Sequence, residues 1–146
     1  LNGRHGIAGE WGHNPLSGEV LGYSGRRGIV ETVISGPALE AFYREATGRP
    51  ERLDRIAELA DEGDLAAKQT LWRLRSEFGR GLGAMVNLLD PAAVVIGGGV
   101  GNLDLLYDDE TRREAEKHVF TERLETAILR PTLGDSAGVF GAAMLG

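Results

Sequence analysis

Apolar and polar positions alternate along this chain in several distinct rhythms. Residues 1–34 carry no helical period, and "GIAGEWGHNPL" reads as short extended segments broken by Gly and Pro. In "SGPALEAFYREATGRP" the period becomes helical. Leu39, Phe42, Tyr43 and Ala46 fall at i, i+3, i+4 and i+7, Ser35 or Gly36 stands at the cap, Pro37 in the first turn, and Gly48 with Pro50 at the end. A second helix over about 52–62 places Leu53, Ile56, Ala57 and Ala60 on one face. The longest helix is predicted over 65–89, capped by Asp64 and stopped by Asp90-Pro91, with Leu71, Leu74, Phe78, Leu82, Met85 and Leu89 as its apolar stripe. Gly79, Gly81 and Gly83 interrupt that helix. Each disfavours it by about 1 kcal/mol against Ala, which points to close packing against a neighbour or to a nearby ligand.

After Pro91 the rhythm changes again. Ala93 to Ile96 is a short β-branched run, predicted as a buried strand, and three glycines follow it. Residues 104–119 read as a charged helix, "ETAILRPTL" as a second strand, and "GDSAGVFGAAML" as a small-residue helix capped by Asp135 or Ser136. Strand, glycine turn, helix, strand, helix is the order of a parallel α/β sheet, whose ligands sit at the carboxyl ends of strands.

Composition narrows the class without naming a chemistry. A length of 146 residues suits one domain. A net charge of -6 without a basic cluster argues against nucleic-acid binding. No apolar run reaches the roughly 18 residues that span a bilayer. The chain has no cysteine, which excludes disulfides and fits a cytoplasmic protein. It opens without a methionine, on what reads as the end of a strand, and is expected to be a piece of something larger.

Two stretches hold candidate chemistry. In the first, Glu10, His13 and Glu31 stand within glycine-rich irregular backbone. Carboxylates accept hydrogen bonds in pairs and vicinal sugar hydroxyls donate in pairs, so these residues suit a polyol clamp; the plainer alternative is a solvated loop. Zinc is not expected, because a site needs about four ligands and neither His5 nor His118 is spaced to join His13. Trp11 stacks on a ligand or simply packs. The second stretch is "IGGGVGN". It does not satisfy G-x-G-x-x-G, since counting from Gly97 or Gly99 brings Asn102 or Asp104 to the sixth place. Glycines between a strand and a helix still let backbone N–H groups approach a nucleotide, and a tight structural turn is the alternative. No Ser/His/Asp arrangement has supporting context.

The stretches "AGEWGHNPL", "SGRRGIVETVISGPAL", "LLDPAAVVIGGGVGNLDLLY" and "GDSAGVFGAAML" together resemble the ROK family of repressors, open reading frames and sugar kinases, its fructokinases and glucokinases above all. The resemblance implies an α/β fold, part of an actin-like (ribonuclease H-like) ATPase domain, helix-rich with a small sheet. It also implies transfer of the ATP γ-phosphate, with Mg, to a hexose hydroxyl. Glu10 and His13 match the family's E-x-G-H and Glu31 its later Glu, so all three are implied substrate ligands. Gly97, Gly98 and Gly99 are implied on the adenosine side. The family's cysteine loop C-x-C-G-x-x-G-C falls on Gly22, Ser24 and Ile29 in place of its cysteines, so the family's zinc is not expected here.

The family's D-x-G-G-T, N-D-x-N and G-T-G-x-G-G-G stretches are absent from this sequence. Residues 1–146 therefore resemble the C-terminal lobe of such a kinase, without a catalytic residue to nominate and with no turnover expected of this chain alone. Homo-oligomers are expected, with Leu71, Leu74 and Phe78 left short of partners. The alternatives are the effector-binding domain of a ROK-type repressor, and an inactive scaffold fragment.

Overall fold

The computed structural model describes residues 3–134 and 137–144. Its elements in chain order are α1 (Val30–Ile34), α2 (Gly36–Thr47), α3 (Leu53–Asp61), α4 (Leu65–Leu89), β1 (Ala93–Val95), α5 (Asp109–Glu116), β2 (Ala127–Leu129) and α6 (Ala137–Ala143).

The helix ends follow the capping residues. The Ser35 hydroxyl accepts from the Ala38 N–H at 3.3 Å, and Gly48 closes α2 in the left-handed region at φ 73°. Asp64 accepts from the Ala67 N–H at 3.0 Å and opens α4. Its other oxygen takes the Tyr43 hydroxyl at 3.1 Å and pairs with Arg49, so one carboxylate ties α2, the following loop and α4 together. The Ala67 N–H bond first, then Arg49, holds this carboxyl down at about 2.

Helix α4 is the pillar against which α1, α2, α3 and α5 pack. Leu74 and Phe78 lie buried inside the chain among Val30, Val33, Leu39 and Leu106, which corrects the expectation that they lack partners. Leu71 packs at the edge of a second cluster, Tyr43, Ile56, Ala60 and Ala67. The large apolar residues left exposed on α4 are instead Leu65, Trp72, Leu88 and Leu89. All three interrupting glycines sit at contacts. A Cβ on Gly79 would stand 3.0 Å from the Ala115 backbone, one on Gly81 2.9 Å from the Trp11 ring, and one on Gly83 2.5 Å from His118 Cβ.

Two helix assignments change. Residues 30–34 form a helix where the reading of 1–34 held none. Its five residues, VETVI, are too few to display a period and are β-branched in composition, yet burying Val30, Val33 and Ile34 on α4 selects the helix. The segment 104–119 splits into a 3-10 turn, Asp104–Tyr107, and α5, because Asp108 caps a fresh start by accepting from the Thr111 N–H at 2.7 Å. Arg75 fastens α5 to α4 through Thr111, Asp108 and Glu110.

β1 and β2 pair in parallel, with Ala93 opposite Ala127, Val94 opposite Ile128 and Val95 opposite Leu129. The strand at 93–96 is not buried as expected, and Val95 is 58% exposed. The described residues supply this sheet with two strands, and the outward face of β1 has no cover among them. Asp135 and Ser136, the expected caps of α6, lie outside the described residues. No described helix is long and apolar enough to cross a membrane.

Candidate functional site

The first candidate site is built on the return of a long loop. A 3-10 turn over Trp11–His13 is closed by the Asn14 N–H on the Trp11 carbonyl at 3.0 Å. Trp11 anchors it. The indole lies against the bare backbone of Gly81 and meets Phe78 edge-to-face at 6.5 Å between centroids, so it packs. The chain then runs out and back, bridging Pro15 to Ile29 and Leu21 to Arg27. Gly28 has φ 59°, and a Cβ there would stand 2.3 Å from the Gly18 carbonyl oxygen, so this crossing requires glycine. Gly22, at one of the family's cysteine positions, packs its bare backbone against Thr32 and Ile29. Backbone hydrogen bonds and glycine contacts therefore hold the return. The Val30 N–H donates to the Asn14 carbonyl at 3.0 Å, and the next residue, Glu31, lies in the first turn of α1.

The three expected sugar ligands become neighbours in this way. His13 Nδ1 stands 3.7 Å from Glu10 Oε2, too long for a hydrogen bond. The Tyr23 ring meets the His13 imidazole edge-to-face at 5.4 Å. Glu31 lies beside the same turn, with its Cβ 3.9 Å from where a Cβ on Gly12 would stand. Glu31 Oε2 is buried without a hydrogen-bond partner among the described residues. A carboxylate oxygen in that state carries a desolvation penalty that a hydroxyl donor relieves.

An open groove of about 790 Å³ runs between this loop and the end of α4, lined by Glu10, Asn14, Trp11, Leu16, Arg80, Met85 and Leu88 among others. Glu10 faces it, whereas His13 and Glu31 are not among its lining residues. Among the described residues no group of three His, Asp or Glu side chains is placed to hold a metal ion.

The second candidate is the turn after β1. Gly98 has φ 80°, and at Gly97, Gly98 and Gly99 a Cβ would meet nothing within 4 Å among the described residues, so the three present open backbone there. Gly101 is different: a Cβ there would stand 2.4 Å from the Ile96 carbonyl oxygen. This open stretch fits the flat approach of a nucleoside. Among the described residues no three histidine or acidic side chains converge at this turn to hold magnesium.

Two further side chains hold this turn: Tyr107, which ends the family-like stretch "LLDPAAVVIGGGVGNLDLLY", and Arg130, which lies outside all four such stretches. The Tyr107 hydroxyl donates to the Gly101 carbonyl at 2.7 Å. Burial pushes the phenol above its ordinary value, partly countered by Arg130, so it stays a donor at neutral pH. Arg130 stacks on the Tyr107 ring at 4.1 Å.

The sequence model of the ROK family matches residues 1–146. The N-acetyl-D-glucosamine kinase of Mannheimia succiniciproducens is 31% identical over 156 aligned positions, covering 99% of this chain and 51% of that protein. Among solved structures, the ROK hexokinase of Thermus thermophilus superposes with a TM-score of 0.86 at 31% identity, over 99% of this chain and 49% of its own. A ROK family glucokinase of Streptomyces griseus, in complex with glucose and AMPPNP, gives 0.84 at 29% identity over 100% and 53%. The chain thus spans about half the length of the curated relatives it matches. Its architecture, helix-rich with a small parallel sheet, is that of the actin-like ROK kinases. The chain belongs to the ROK family.

Proposed function

We propose that this chain is the C-terminal lobe of an ATP-dependent sugar kinase acting on a hexose of the glucose, fructose or N-acetylglucosamine class. Glu10 and Glu31 accept hydrogen bonds from neighbouring sugar hydroxyls, and His13 serves one more. Gly97, Gly98 and Gly99 receive the adenosine side of ATP, which supplies the phosphoryl group when bound. The observation that carries the reading is the unpartnered, buried Glu31 Oε2 beside the Glu10–His13 turn, in a chain of this family. The residues act by orienting the sugar, since phosphoryl transfer depends on positioning and on charge stabilisation of the phosphates.

The catalytic base and phosphate loops are not in this sequence, so 1–146 alone is proposed to be inactive. A homo-oligomer and a cytoplasmic location belong to the same reading. The experiment is a kinetic comparison in the full-length protein. A charge-assisted contact is worth about 1.5–3 kcal/mol, so Glu10→Ala and Glu31→Ala each raise the sugar KM by about one to two powers of ten, with the ATP KM unchanged. Sugar kinetics untouched by both substitutions would make these residues ordinary loop carboxylates.

A further inference from the structure

The glycine turn is restrained from one side only. On its inner side Gly101 lies against the Ile96 carbonyl, where any side chain would collide. The Tyr107 hydroxyl donates to Gly101 O at 2.7 Å and stands 3.4 Å from Ile96 O, so it reaches both ends of the turn. Arg130 follows β2 directly. It lays its guanidinium on the Tyr107 ring, donates to the Asn102 carbonyl at 3.3 Å and pairs with Asp104. The turn, the 3-10 segment after it and the end of the neighbouring strand are therefore fastened to one another. On the outer side, a Cβ on Gly97, Gly98 or Gly99 would meet nothing within 4 Å among the described residues.

We propose that Tyr107 and Arg130 are positioning residues for the nucleotide: they hold the Gly97–Gly99 backbone in its receiving shape from behind, without touching the ligand. This rests on the nucleotide reading of the turn. Its physical basis is the freedom of three consecutive glycines. Left unrestrained, they would lose that freedom when ATP binds, and affinity would fall accordingly. Hydrogen bonds and a stacked cation on the far side remove the freedom beforehand while keeping the ligand face clear. Tyr107 suits the task because its ring is held on one face by Arg130 and its hydroxyl reaches the backbone.

Tyr107→Phe isolates the effect, since it deletes the hydroxyl and keeps the ring beneath Arg130. Two readouts are taken on the same protein. Amide hydrogen exchange over residues 97–103 is expected to speed up about fivefold, the equivalent of one ordinary hydrogen bond, with the amides of α2 to α4 unchanged. ADP, titrated by calorimetry, is expected to bind about three- to tenfold more weakly. Arg130→Lys keeps the charge but not the planar stack, and should move both readouts in the same direction. Unchanged exchange in Tyr107→Phe overturns the clamp. Faster exchange with unchanged ADP affinity overturns the link to the nucleotide. Faster exchange in Tyr107→Phe alongside a wild-type protein that binds no ADP at millimolar concentration defeats the nucleotide reading of the turn, and the inference with it.

Discussion

Gly83→Ala sets two physical rules against each other. Gly83 lies well inside α4, where replacing glycine by alanine ordinarily stabilises a helix by about 1 kcal/mol. Here the new methyl would stand 2.5 Å from His118 Cβ, 2.9 Å from its carbonyl carbon and 3.0 Å from its oxygen. Ordinary contact begins at 3.4 Å, so the segment after α5 would have to retreat by 3.4 − 2.5 = 0.9 Å. That segment is not free to do so. The His118 N–H donates to Ala115 O at 2.9 Å, Asn87 of α4 donates to His118 O at 2.9 Å, and its amide oxygen accepts the Phe120 N–H at 2.7 Å. Overpacking of this kind costs about 1–3 kcal/mol, and breaking one anchor adds about 1 kcal/mol. After subtracting the propensity gain, Gly83→Ala is destabilising by about 1–3 kcal/mol, a fall in Tm of roughly 3–10 °C for a chain of this size. Gly141→Ala is the control. It also lies in a helix, but a Cβ there meets nothing within 4 Å, so it should be neutral or slightly stabilising. Thermal and urea unfolding by circular dichroism measure both. Gly83→Ala as stable as wild type, or more so, would refute the argument that close approach rather than ligand binding or chance explains the glycines of α4.

Three further outcomes follow from the same coordinates. The Asp64 carboxyl is held at about 2, below its ordinary value, so its stabilising contribution is complete above about pH 4 and is lost as pH falls toward 2; an acid titration of stability should flatten over that window in Asp64→Asn, and an unaltered profile would show that the carboxylate does not tie α2 to α4. Leu74 is fully buried at the centre of the core, and Leu74→Ala should cost about 3–5 kcal/mol, a loss that urea unfolding would miss only if the site were open to water. Chelation with EDTA should leave the melting temperature within experimental error, since His13 alone remains of the family's zinc ligands; stoichiometric zinc by metal analysis, with unfolding on its removal, would contradict this.

Much of the scaffold was legible because its signals are local. Ser35, Gly48 and Asp64 carry their capping chemistry in their own side chains or lack of one, and the stripe from Leu74 to Leu82 repeats with the helical period. A parallel β1–β2 pair followed from a strand, a glycine turn, a helix and a second strand in that order. Glu10, His13, Glu31 and Gly97 to Gly99 were visible as residue types in suggestive spacing, and they stand as the proposed ligands. What escaped depends on contacts between distant parts of the chain. VETVI looks like a strand until Val30, Val33 and Ile34 are given α4 to bury against. Nothing near Gly83 announces His118, thirty-five residues on. The exposure of Val95 depends on how many strands flank it, which no local pattern encodes. Tyr107 and Arg130 acquire a shared task only when β2 brings its end beside the turn. Sequence by itself determined where α2, α3 and α4 begin and which residue types are candidates for chemistry, because capping and periodicity act within a few residues. Tertiary structure alone decided which glycines are obligatory and which buried carboxylate oxygens, those of Glu31 and Glu77, lack a hydrogen-bond partner among the described residues, because both depend on atoms brought close by packing.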